Sequence, residues 1–203
     1  MKEEQGRFGI EDLDRNFGDH FPKGGVVEIR GPPGCGKTAL GLGFLSKGIQ
    51  QGMPGLFVKF SSVPLLPVFR EFRNNPLMAD LMEYEEPLVL DVKDPHRMDL
   101  LSPLMASGEV QNLVLDHPDI MQLREKEGWF SSLDDTLDAA RDSGSRVLML
   151  DYPGSLGQFM AEGILEISFS GDGTRTMEAV KWEWKRAVAG MKVKETEVGY
   201  WGI

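Results

Sequence analysis

The chain has 203 residues, a formal net charge of −10, 41% hydrophobic and 27% charged residues, and a single cysteine, Cys35. These figures suit one globular domain over residues 1–203 and exclude a disordered or disulfide-stapled chain. The negative field also makes nucleic acid an unlikely ligand without a partner and argues against an anionic membrane surface.

In chain order, the opening Met1-Lys2-Glu3-Glu4-Gln5 is charged and lacks the apolar core of a secretory signal. No apolar run approaches the roughly 18 residues of a membrane span. The expectation is a cytoplasmic protein with no membrane contact. Gly25 to Arg30 predicts a strand, and residues 38–51 a helix with Leu40, Phe44 and Leu45 on one side and Gly52 as its stop. Glycines at 41, 43 and 48 cost this helix propensity, which points to close packing on a sheet.

Leu56 to Phe60 predicts a second strand. A short helix over 65–73, ended by Asn74-Asn75-Pro76, and helical turns over 77–84 follow. Strands are predicted at 88–92, 112–116 and 146–150. Between the last two, residues 129–142 predict a helix with Trp129, Leu133, Leu137 and Ala140 on one face and Gly144 as its stop. Ile164 to Ser170 and Thr176 to Lys185 read as strands flanking a hairpin turn, Ser170 to Thr174. Trp182 and Trp184 fall on one strand face, and packing under the sheet edge accounts for them better than stacking on a base. The alternation predicts an α/β fold: a mainly parallel central sheet, helices on both faces, and C-terminal antiparallel strands at one side.

Gly31-Pro32-Pro33-Gly34-Cys35-Gly36-Lys37-Thr38 fits G-x-x-x-x-G-K-[ST] at every fixed position, with a strand before it and a helix after it. A phosphate chain must exchange water for other donors, and consecutive inward backbone N–H groups supply them. Gly34 and Gly36 let the backbone curl, Lys37 lies along the β- and γ-phosphates, and the Thr38 hydroxyl sits on Mg²⁺. The competing reading is a Gly/Pro-rich turn without a ligand. Cys35 reads either as a redox-sensitive thiol beside an anion site or as a small side chain that fits. Leu113-Val114-Leu115-Asp116 is an apolar strand ending in a carboxylate, which fits a Walker B element holding Mg²⁺ through water. Asp91 and Asp151 also end strands and belong at the same carboxyl edge, where open α/β sheets bind ligands. His117 and Asp119 follow Asp116 closely and read as site residues or as loop residues only.

The segment Phe8-Gly9-Ile10-Glu11-Asp12-Leu13-Asp14, the stretch Pro22-Lys23-Gly24-Gly25, the loop, Gly48 and Gly52, and the order of the later elements resemble the KaiC-like branch of the RecA superfamily. The resemblance implies a single-domain RecA-like P-loop NTPase that takes ATP and Mg²⁺. Members active in hydrolysis carry a Glu-Glu pair just after the second strand; here Ser61-Ser62 stands there, and serine is no carboxylate base. Binding with weak or absent hydrolysis follows, unless Asp119 or Asp151 takes the place of the pair. In the family a Lys-x-Arg on a late strand reaches the neighbouring subunit's γ-phosphate. Here the nearest match is Trp184-Lys185-Arg186, with Lys181 upstream, so Lys185 and Arg186 are candidates for a contact in trans or charges on an exposed strand end.

Charge is uneven. Residues 78–142 hold 16 acidic and 5 basic side chains, and residues 175–194 hold 6 basic and 2 acidic. These are either two solvated faces or complementary patches joining subunits or a protein partner head to tail. Three functions remain open. The first is an ATP-binding regulatory or assembly protein, the second an active ATPase coupled to partner remodelling or recombination. The third is a P-loop small-molecule kinase, whose loop usually lies nearer the N-terminus and whose tail is helical.

Overall fold

A computed structural model describes residues 8, 13–15, 21–60, 88–91, 95–120, 128–184 and 192–194. The helices expected at 65–73 and 77–84, the Ser61-Ser62 pair, and Lys185 and Arg186 lie outside the described residues.

Among the described residues, eight strands form one sheet: β1 (Val26–Arg30), β2 (Gly55–Lys59), β3 (Leu88–Asp91), β4 (Asn112–Asp116), β5 (Arg146–Asp151), β6 (Gly163–Phe169), β7 (Arg175–Trp182) and β8 (Lys192–Lys194). Their order is β3-β2-β4-β5-β1-β6-β7-β8. Every pairing from β3 to β6 is parallel, and β7 and β8 add antiparallel at one side. Helices α1 (Lys37–Gln50), α2 (Leu101–Ala106) and α3 (Trp129–Ser143) connect and cover it.

The central strands are buried along their whole length, as their continuous apolar runs require when both faces are covered. Alternation sorts the side chains. Val27, Ile29, Val114, Leu148 and Leu150 meet Leu40 and Phe44 of α1 on one face. Val26, Leu113, Leu115, Val147 and Met149 meet Met105 of α2 and Trp129, Leu133 and Leu137 of α3 on the other. Each such side chain contributes roughly 1.5–3 kcal/mol by leaving water.

Two of the glycines of α1, Gly41 and Gly48, have the expected cause. A Cβ on Gly41 would sit 2.9 Å from both Leu150 Cδ1 and Val114 Cγ1, and one on Gly48 would meet the Asn112 side chain. Gly144, left-handed at φ 76°, ends α3 where the sequence places the stop. Trp182 is buried beside Phe8, with ring centroids 6.3 Å apart, and meets Trp184 edge-on at 5.2 Å. The tryptophans thus pack into the core beneath the antiparallel strands.

Strand register sets the carboxyl edge. Asp91 pairs with Lys59, Lys59 with Asp116, and Asp116 with Leu150. Asp151 pairs with Arg30, the last residue of β1. Asp91, Asp116 and Asp151 therefore end strands at one carboxyl edge, with β2 between the first two and β5 inserted between the strand that feeds residues 31–38 and the strand that ends in Asp116.

Candidate functional site

Residues 31–36 leave β1 at the carboxyl edge and turn into α1. The Gly31 N–H donates to the Asp151 carbonyl at 3.2 Å, which fixes the loop's start to β5. Gly34 and Gly36 hold left-handed backbone at φ 77° and 96°, conformations that cost a residue with a Cβ on the order of 1–2 kcal/mol. Gly36 is the N-cap of α1 and offers no side-chain cap. The helix's first N–H groups and its positive end are thus directed to this loop.

Lys37 is nearly buried, and its Nζ donates to the carbonyls of Gly31 at 2.8 Å and Pro32 at 3.0 Å. The same Nζ lies 5.0 Å from the centre of the Tyr152 ring. Cys35 is fully buried in the core, with its sulfur against Gly31, where a Cβ would come within 2.8 Å. This packing favours the small-side-chain reading of Cys35 over an accessible thiol.

Asp116 ends β4 on the α1 side of the sheet. It is 3% exposed, and its Oδ1 has no hydrogen-bond partner among the described residues. Burial pushes its carboxyl above the ordinary range, while His117, Lys37 and Lys59 pull it down. A buried carboxylate with an open acceptor, beside a lysine and a loop of directed amides, fits a hydrated divalent cation carried by an anionic ligand. His117 follows at φ 58°, left-handed backbone that is strained for a residue with a Cβ. Its Nε2 lies 3.8 Å from Asp116 and its Nδ1 3.8 Å from Asp151. Its ring stacks on Tyr152 with centroids 4.5 Å apart.

A second acidic group lies on the opposite side of the sheet. Glu28, fully buried in β1, accepts a hydrogen bond from the Ser155 hydroxyl. Burial is the main cause that raises its carboxyl to about 7. Asp119 accepts from the Leu156 N–H at 3.0 Å, and burial, with Asp151 adding to it, raises it to about 6. The first bond ties the loop after β5 to β1, and the second ties it to the loop after β4.

The fold therefore brings Gly31, Pro32, Pro33, Gly34, Cys35, Gly36, Lys37 and Thr38 together with Asp116, and sets His117, Asp119 and Asp151 next to them. Tyr152, Glu28 with Ser155, and Arg175 have no counterpart in the sequence reading. Arg175 Nη1 donates to the Cys35 carbonyl at 3.3 Å, reaching the loop from β7. A long-range pattern of cations would have been the only signal for it, and one sequence carries none. No helix among the described residues is long and apolar enough to cross a membrane.

The UPF0273 protein MK0039 of Methanopyrus kandleri is 26% identical to this chain over an alignment covering 55% of this chain and 56% of that protein. The chain thus spans little more than half the length of this relative. The family described as "ATPase: KaiC" matches residues 6–111, which include the loop, α1 and β2 and reach to the foot of β4. A match over more than half of the chain, on a loop and sheet of this geometry, shows that the chain belongs to the KaiC ATPase family, P-loop proteins of RecA-like fold that bind ATP.

Proposed function

We propose that the chain binds Mg·ATP at residues 31–38 and acts as a regulatory or assembly protein with weak or absent hydrolysis. One observation carries the binding: two left-handed glycines, a helix start without a side-chain cap and the buried Lys37 amine converge on one loop, across β5 from an Asp116 oxygen that has no hydrogen-bond partner among the described residues. In this reading the loop amides and Lys37 hold the phosphates. Thr38 and Asp116 hold Mg²⁺, which supplies neutralisation of phosphate charge when bound. Lys37 exchanges the Gly31 and Pro32 carbonyls for phosphate oxygens, which are stronger acceptors because they are charged.

Weak hydrolysis is supported by the serines at 61 and 62, where the active members of the family carry glutamates. The second reading, a working ATPase, is favoured by Asp119, a carboxyl raised to about 6 near the site and able to exchange a proton around neutral pH. Its hydrogen bond to Leu156 draws it toward the far side of the sheet.

Calorimetry with Mg·ATP and a phosphate-release assay on the same sample test both. The wild-type chain binds, and Lys37→Ala loses affinity on the order of 100-fold, as removal of one partner from a desolvated charge pair does. Unchanged affinity in Lys37→Ala refutes the assignment of the loop. Steady phosphate release by the wild type, absent in Lys37→Ala, favours the ATPase over the regulatory reading.

A further inference from the structure

The antiparallel end of the sheet has a role at the loop that the motif itself does not assign. β6 and β7 meet at the turn Ser170 to Thr174, which is tightly bonded. The Ser170 N–H donates to the Thr174 carbonyl at 2.9 Å, and Asp172 accepts from the Ser170 hydroxyl at 2.6 Å and the Thr174 N–H at 2.9 Å. Below the turn, the Ser168 and Thr176 hydroxyls are 2.9 Å apart across the strands. Arg175, opposite Phe169, is thus mounted on a well-braced element.

That element backs the loop at both of its ends. A Cβ on Gly31 would come within 2.9 Å of the Ile167 carbonyl oxygen of β6. A Cβ on Gly36 would come within 3.0 Å of Arg175 Nη1, which also donates to the Cys35 carbonyl. Lys37 and Arg175 therefore do the same thing at opposite ends of one loop. Each cation rests a donor on loop carbonyls, Lys37 on Gly31 and Pro32, Arg175 on Cys35. Neutral carbonyls are weaker acceptors than phosphate oxygens, and a planar guanidinium matches two phosphate oxygens at once. In a chain of net charge −10, two cations held against one loop mark where a polyanion is favoured.

We propose that Arg175 is a second phosphate-binding cation supplied by the same chain, which gives the loop its preference for longer phosphate chains. The proposal rests on the nucleotide reading above and adds a residue from outside the motif. The contact in trans expected from Lys185 and Arg186 is separate from it, since Arg175 reaches the loop within its own chain.

The test is calorimetry on the full chain with Mg·ATP, Mg·ADP, AMP and inorganic tripolyphosphate, comparing wild type, Lys37→Ala, Arg175→Gln and Arg175→Lys. Glutamine keeps a donor for the Cys35 carbonyl but removes the charge. Arg175→Gln weakens ATP and tripolyphosphate by about tenfold, ADP by less and AMP least, and flattens the salt dependence of ATP binding. Arg175→Lys recovers part of the loss. A brace of the loop would instead weaken all four ligands equally, and that result, or an unchanged ATP affinity while Lys37→Ala fails to bind, overturns the role of Arg175 and leaves the nucleotide reading standing. Failure of the wild type to bind either ATP or tripolyphosphate overturns both.

Should Arg175→Gln fail to fold, arginine-selective labelling of the wild type, read by mass spectrometry at residue 175, replaces it. Protection by tripolyphosphate but not by AMP supports the proposal, and equal labelling with both refutes it.

Discussion

Glu28 is a fully buried carboxyl in the middle of β1, and its charge state is coupled to folding. Its value of about 7 in the fold exceeds the ordinary 4.5, chiefly because burial penalises the anion. The folded chain keeps a proton that the unfolded chain releases between these values, so the stabilising proton is fully counted below about pH 4.5 and lost as pH rises through 7. Asp119, at about 6 against 3.8, acts with the same sign. The Glu28 shift corresponds to about 3 kcal/mol as an upper bound. Urea unfolding should therefore show stability falling from pH 5 to pH 8, and Glu28→Gln should remove much of the slope. A slope unchanged in Glu28→Gln would show that burial does not govern this group. Lys37, Thr38 and Asp116 were legible in the sequence as candidates because a local pattern marks them: a loop motif for the first two, an apolar strand ending in Asp for the third. The Glu28–Ser155 pair spans 127 residues of chain, and Arg175 meets Cys35 across 140, so only the pairing of β1 with β5 in the first case, and of β1 with β6 and β6 with β7 in the second, brings them together.

The elements were most legible where period and punctuation agreed. In α3, Trp129, Leu133, Leu137 and Ala140 face the sheet, while Asp134, Asp135, Asp138 and Asp142 face water. Helix α2 was not anticipated: it has six residues, contains Pro103, and is too short to show a period. β8 was missed as well, since Lys192-Val193-Lys194 has a single apolar residue and becomes a strand only by pairing with β7. β7 itself stops at Trp182 rather than 185, and an irregularity in its register with β6 between Ile164 and Leu165 lies beside that end. At this scale α1 gives the sharpest test. Its interior glycine at 41 forgoes about 1 kcal/mol of helix propensity so that the helix can approach Val114 and Leu150. Gly41→Val should lower stability by at least about 2 kcal/mol in urea unfolding, since overpacking outweighs any gain in propensity. A neutral or stabilising Gly41→Val would mean that the helix does not need its close seat on the sheet.

Across the whole molecule, charge is arranged more closely than the counts suggested. Lys181 donates to the Ala161 carbonyl at 2.6 Å and pairs with Glu183 at 2.8 Å. Arg141 joins Asp138 and Glu162, both at 2.8 Å. Part of each patch is therefore satisfied within one chain, and Lys181 and Arg141 border the same cleft as Phe130 and Phe159. The outer face of α3 still presents Asp134, Asp135 and Asp142 to water. Head-to-tail association through that face would be steered by opposite charge, would join two different surfaces of the protein, and would respond to salt. The screening length shortens from about 30 Å at 0.01 M to about 8 Å at 0.15 M ionic strength. Light scattering with Mg·ATP should show a mass above that of one chain at low salt, falling as salt rises. Reversing the charge with Asp135→Lys and Asp142→Lys together should lower that mass further while leaving Mg·ATP affinity unchanged, because neither residue borders the loop. A single-chain mass under every condition would remove self-association from the account, and the −10 would then act through a different protein partner or simply as a solvated surface.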